Sequence, residues 1–237
     1  MSESELSRDE QETLGHKLFP AVDLLLRAGG HISPNGTEDE YYFLAGHRSG
    51  LSNWYRRYGY SLIFNENAYA YLAPQGGLST GSPLSISDMV AGQSLLVMML
   101  DPKCLQIDGT YLLSDFYLKV EQILGEDGMY RLVDKRRSAV KEKLLRQVKE
   151  RMDQSLRRLA RLHFISLDRK GERIIIYRSI QRFGEQVSAM TYDPEDAIKQ
   201  MIEFGKLVWL GEEPDEETDE IDEDGFAAEA VDDEGGM

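Results

Sequence analysis

What this sequence has little of narrows it first. One cysteine, Cys104, stands among 237 residues, so an internal disulfide and a cysteine-built metal site are both excluded. No apolar run approaches the roughly 20 residues that cross a bilayer, and the opening "MSESELSRDEQE" is acidic and lacks a signal-like apolar stretch. The expected address is the cytoplasm, with no membrane contact. The four histidines, His16, His31, His47 and His163, share no HxxxH or HExxH spacing; they read as surface or capping residues rather than metal ligands. The pairs Gly29-Gly30 and Gly76-Gly77 precede no Gly-Lys-Ser/Thr run, which removes a phosphate-binding loop. Cys104 has no histidine close in sequence and reads as part of a helix end. No catalytic group, cofactor, metal or small-molecule substrate is therefore expected.

Positive charge is missing from one end altogether. Residues 211–237 hold 14 of the 42 acids and no base, which leaves 28 acids against 27 bases in residues 1–210. The body is nearly neutral although the whole chain carries −15. Within it, residues 131–182 hold 17 Lys or Arg against six Asp or Glu. A basic segment and an acidic tail on one chain suit a protein that meets a polyanion or an acidic partner at one site, with the tail as solubiliser or as competitor for that site. The plainer possibility is a solvated basic face on an ordinary domain.

Apolar spacing divides the chain. Residues 1–15 read as a flexible N-terminus. In "KLFPAVDLLLRAGGHIS", Leu18, Val22, Leu25 and Leu26 share a helical face that stops at Gly29 and Gly30. Thr37 with Glu40 offers a capping box to a second helix through Tyr41, Phe43 and Leu44. "LSNWYRRYG" gives a third helix carrying Trp54, Tyr55 and Tyr58, and "YSLIFNENAYAYLAP" alternates around "NEN" as a hairpin does. The breaker-rich stretch "QGGLSTGSPLS" marks a linker at 77–84. Beyond it, "SISDMVAGQSLLVMMLD" is a serine-capped apolar helix with Met89, Leu95 and Met99, and "YLLSDFYLKVEQIL" is a helix ending at Gly125. Residues 138–162 form a third, with Leu144, Val148, Met152, Leu156 and Leu159 in one stripe. "HFISL" and "RIIIY" flank "DRKGE" as a second hairpin.

Three helices and a hairpin have thus occurred twice. The expected fold class is mainly α with small β-hairpin wings (α+β), as tandem winged-helix domains at 16–76 and 85–182. A helix from Pro194 makes 183–210 a helical extension, and 211–237, poor in apolar residues, a disordered acidic tail.

The stripe on the long helix decides where its charges go. With Leu144, Val148, Met152 and Leu159 inward, Lys143, Arg146, Arg157 and Arg161 face outward, and Arg151 and Arg158 flank the stripe. Arg169, Lys170 and Arg173 fall on the following turn, the wing. Guanidinium groups match phosphate with paired donors, and a helix beside a wing is how helix-turn-helix relatives meet DNA. The long helix has no Asn and only Gln147 and Gln154 among base-reading amides, so the expected contact is with phosphates of double-stranded DNA, without sequence preference. The same donors also suit an acidic protein surface. In the first unit, Arg56 and Arg57 beside Trp54, Tyr55, Tyr58 and Tyr60 fit a protein interface, or the core of a small domain.

The blocks "KLFPAVDLLLRAGGHIS", "WYRRYGYSLIFNENAYAYLAP", "LDPKCLQIDGTYLLSDFY", "LRRLARLHFI", "IYRSIQRFGEQV" and "DPEDAIKQMI", in that order between Lys17 and Ile202, resemble the MukE family, the accessory subunit of bacterial condensin, and its MksE equivalent in the related Muk-like system. The resemblance implies tandem winged-helix domains, a homodimer, and binding to a MukF-like kleisin that links the subunit to a MukB-like SMC ATPase. It implies no ATPase of its own, and a nucleoid-associated role in chromosome condensation and segregation, or in plasmid defence on the Muk-like branch. Trp54, Tyr55 and Tyr58 on the aromatic helix, and Met89, Leu95 and Met99 on the apolar helix, are then the expected kleisin or dimer contacts. The alternative is a tandem winged-helix transcription regulator, disfavoured by the acidic tail and the scarcity of base-reading amides.

Overall fold

A computed structural model describes residues 6–66, 68–76, 84–133, 141–168, 170 and 172–184. Over these the chain is mainly helical, with a two-stranded and a three-stranded antiparallel sheet. The expected linker, all but Leu84, falls outside the described residues, as do residues 185–210 of the helical extension and the tail.

The chain opens on α1 (Arg8–Gly15), where a flexible terminus is expected. Ser7 and Glu10 form a reciprocal capping box, and the Glu10 carboxylate also receives Arg57 of α4 at 2.8 Å. The Ser7 backbone N–H, above all, holds the Glu10 carboxyl below the usual range. Thr13 lies against Gly50, where an added Cβ would come 2.3 Å from the Thr13 hydroxyl. A polar segment is ordered here by a cap, an ion pair and a close approach rather than by an apolar stripe. Next come α2 (Phe19–Arg27), α3 (Glu38–Gly46) and α4 (Arg48–Arg57), followed by the hairpin of β1 (Tyr60–Asn65) and β2 (Tyr69–Pro74). The capping box expected at Thr37 does not form: its hydroxyl turns back, donating to the Ser33 carbonyl and accepting from the Ser33 N–H. Ile32 bridges Ala70, adding a one-residue rung beside the hairpin. Val22, Leu26, Ile32, Leu44, Leu51 and Tyr55 fill the first core.

The second unit opens on α5 (Ile86–Leu100), capped by the Ser85–Asp88 box. After it come β3 (Tyr111–Leu112), α6 (Leu113–Val133), α7 (Lys141–Arg161), β4 (Ile165–Asp168) and β5 (Arg173–Ile176), with sheet order β3-β5-β4. The strand at 111–112 is read as helix from sequence; two residues are too few to register alternation, and Tyr111 pairs with Ile174, 63 positions away. Gly125, expected to end a helix, takes φ 62, and helical backbone resumes beyond it to Val133. That φ suits glycine and costs a residue with a Cβ. A 3-10 turn at Arg178–Gly184 closes the unit, with Phe183 pressed on Gly92 of α5.

The two units meet along a polar seam. The His31 N–H donates to the Leu162 carbonyl at 3.0 Å, and the His31 ring Nδ1 lies 3.1 Å from the same oxygen. Arg182 reaches His31 Nε2 at 2.8 Å and covers the Tyr71 ring at 3.9 Å. The two contacts assign the tautomer: Nδ1 carries the proton toward the carbonyl, and the Nε2 lone pair accepts from the guanidinium. Asn35 adds two bonds, donating to the Ile176 carbonyl and accepting the Arg178 N–H. His31 is thus no surface or capping residue; it is 2% exposed. Burial first, and the Arg182 charge second, push its pKa down to about 3.

Candidate nucleic-acid interface

The strong amphipathicity of α7 builds the site. Leu144, Val148, Met152, Ser155, Leu156 and Leu159 are buried, which turns the remaining arc outward along about 30 Å of helix. Lys143, Arg146, Arg157 and Arg161 lie on that arc and are exposed, as sequence spacing predicts. Among the described residues, Lys143, Arg157 and Arg161 make no ion pair, and Arg146 has only a long contact to Glu150 at 3.9 Å. Lys170 is also exposed, its backbone N–H capping Asp168 at the tip of the hairpin. Arg169 lies outside the described residues.

Two of the basic residues are placed differently from the expectation. Arg158 turns toward α5 and meets the Asp88 carboxylate at 2.9 Å, in a pair whose acid side chain is 4% exposed. A cation there neutralises a nearly buried carboxylate that also completes the Ser85 cap. Replacing Arg158 with alanine leaves Asp88 without its cation, and unfolding measurements are expected to register a loss of about 2 kcal/mol. Arg173 is half-buried and bonded to Asp108 and Thr110 of the loop before β3. Its charge is tied to the protein by this loop, which leads into the short strand that sequence patterning misses.

Two further arginines join the face. Arg151, exposed on α7, lines with Gln154, Arg158 and Arg161 a hollow of about 350 Å³ at the start of α5. On the other side of Arg158 and Arg161, a cleft of about 840 Å³ between the units is lined also by His31, Leu162, Phe164 and Arg182. Arg158 and Arg161 form the ridge between these concavities. Arg151 is legible from helical spacing alone, being seven residues, two turns, from Arg158 on the same flank. Arg182 needs the fold, because its position beside α7 is set by the seam.

The expected protein-contact residues divide by burial. Tyr55 and Leu95 are fully buried, each in the core of its own unit, so neither is a contact residue. Leu51 and Tyr55 sit one turn apart on the inward face of α4, and Leu95 lies mid-way along α5, where ten of the 11 positions from Asp88 to Met98 are buried, all but Met89. Tyr58 remains 48% exposed, and Trp54, Met89 and Met99 are half-buried against their own cores. Tyr55→Ala is expected to cost about 3 kcal/mol or more through cavity formation, whereas Tyr58→Ala costs under about 1 kcal/mol. Urea unfolding of the two variants checks this.

No three His, Cys, Asp or Glu side chains gather as a metal site among the described residues, and no described helix is long and apolar enough to cross a membrane. Cys104 lies in the turn after α5, buried, and burial pushes its thiol pKa up.

Fold and face together define a two-unit, mainly helical protein that exposes a cationic helix between paired concavities. Comparison with known proteins assigns it more closely. The profile of the MukE-like family matches residues 6–235. Among curated relatives, Chromosome partition protein MukE of Pasteurella multocida is 30% identical over 228 residues, covering 93% of this chain and 92% of the relative. The proteins of the same name from Mannheimia succiniciproducens and Vibrio vulnificus are 32% and 33% identical over 197 and 201 residues, covering 81% and 83% of this chain and 80% and 84% of the relatives. The chain belongs to the MukE family.

Proposed function

We propose that this chain is a noncatalytic subunit of a bacterial condensin-type complex, acting in chromosome partition by binding a MukF-like kleisin and contacting double-stranded DNA without sequence preference. Family membership supports the partition role. Its MukB-like ATPase partner is reached through the kleisin, and the subunit works as a homodimer at the nucleoid. Each unit is a winged helix. In the second, the order α5, β3, α6, α7, β4, β5 with β5 central in the sheet supports this; in the first, the Ile32 rung beside β2 stands where β3 stands in the second.

The observation that carries the DNA contact is the row of exposed cations on α7, Lys143, Arg146, Arg157 and Arg161, largely without carboxylate partners among the described residues. Lys170 continues it at the hairpin, while Arg151 and Arg182 extend it into the concavities. Arg158 and Arg173 support the surface structurally, and Arg169 adjoins Lys170 in sequence. Unpaired guanidinium groups displace the counterions condensed on DNA phosphates, which supplies affinity without base reading. For protein contact, Tyr58 with Trp54, and Met89 with Met99, keep accessible surface near the edge of each core.

The test is reconstitution with the kleisin and ATPase, followed by DNA capture with Arg157→Glu, Arg161→Glu and Lys170→Glu. Intact assembly with lost capture supports the combined role. Lost assembly with the face reversed assigns it to protein contact, and tight binding of the isolated chain to one short palindrome makes it a transcription regulator.

A further inference from the structure

We propose that the acidic segment 212–224 of this same chain lies along the cationic face of α7 and is displaced from it by DNA, so that the tail sets a threshold for the DNA contact inferred above, on which this regulation rests. The face offers charge without internal neutralisation. Lys143, Arg151, Arg157 and Arg161 are exposed, and none pairs with a carboxylate among the described residues. Among the described residues, the acid drawn to this arc is Glu150, whose contact with Arg146 is 3.9 Å long, with the side chains 72% (Arg146) and 66% (Glu150) exposed. The complementary charge resides in the same chain. Ten of the 13 residues from Glu212 to Asp224 are Asp or Glu, and no base occurs after Lys206.

Reach and position agree with this occupant. The described chain ends at Gly184, directly after Phe183, which packs on Gly92 of α5. Helix α5 in turn packs on α7. Between Gly184 and Glu212 lie 27 residues, which span up to about 90 Å extended and about 40 Å as helix. The 21 residues of α7 are about 32 Å long, so the segment reaches every point of the face. A tether of that length presents it at about millimolar effective concentration. Single exposed ion pairs contribute little; a dense acidic run along several cations acts collectively, and salt screens it over about 10 Å at 0.1 M.

The test uses the full chain and a variant in which the ten acids of 212–224 become Asn or Gln. Carbodiimide cross-linking with mass spectrometry should join tail carboxylates to Lys143 and Lys149 of α7 in preference to Lys17 and Lys103, within one chain as judged by mixing isotopically labelled copies. Excess 20-base-pair duplex should abolish those links. In parallel, the neutralised variant should bind duplex about 5- to 10-fold more tightly than the wild type near 50 mM salt, with the difference gone by about 300 mM. Links spread evenly over all lysines, links only between chains, or identical affinities overturn the proposal. If neither protein binds DNA while the α7 links form, the DNA reading fails and the intramolecular contact stands.

Discussion

Reversing Arg157 and Arg161 together to glutamate is expected to weaken duplex binding by the assembled complex about 10- to 100-fold near 100 mM salt, and to lower the slope of log K against log salt by about 2. Each lost phosphate contact removes about 0.9 from that slope because one fewer counterion is released, and the new carboxylates add repulsion. The fold should not respond, since both side chains are exposed and make no ion pair among the described residues. Arg158→Glu is the instructive contrast: it places a carboxylate against the nearly buried Asp88 and lowers stability first, so its DNA defect would come with a lower midpoint of unfolding. Fluorescence anisotropy from 50 to 300 mM salt, beside urea unfolding of each variant, separates the two. An unchanged affinity in the double variant would remove α7 from the DNA contact.

Acidification is expected to loosen the seam through His31. The folded ring is held neutral, with a pKa of about 3, while the unfolded chain titrates near the ordinary 6.5. Above pH 6.5 neither state binds this proton, and stability is flat with respect to this group. As pH falls below 6.5 the unfolded state takes the proton first, so stability is lost progressively down to about pH 3. Each pH unit in that window corresponds to about 1.4 kcal/mol. The wild type should therefore lose about 2 kcal/mol between pH 6.5 and pH 5 that a His31→Gln variant does not lose. Urea unfolding of both proteins at pH 7.5, 6.5 and 5 reads this directly. Parallel pH profiles would mean that the ring takes its proton within the folded seam. The consequence reaches the functional face, because Arg182, the ring's partner, lines the cleft beside Arg161.

The parts legible from sequence are those fixed by local period. The stripe of Leu144, Val148, Met152 and Leu159 predicts the buried face of α7 and hence the outward cations. The Ser85 cap and both hairpins are likewise local, and fall where spacing places them. What escapes depends on distant partners. His31 is buried by Leu162 and Arg182, 131 and 151 residues away, and no window of local sequence encodes that. Arg173 loses its freedom to Asp108, 65 residues away. The N-terminal helix carried a visible signal, Ser7 with Glu10 three positions on, but without an apolar stripe its anchoring depends on Arg57. Tyr55 and Leu95 illustrate a different error: aromatic and apolar enrichment marks burial and interface alike, and the i,i+4 spacing of Leu51 with Tyr55 favoured burial.

Photo-cross-linking from position 157 tests the central claim most directly. A benzophenone amino acid replaces Arg157 in the reconstituted complex, and a matched complex carries it at exposed Tyr42 on α3. DNA cross-linked from position 157 and not from position 42 is the outcome expected of a DNA-facing α7. Cross-links from position 157 that run only to the kleisin or the ATPase, with DNA bound but unlabelled, would contradict it.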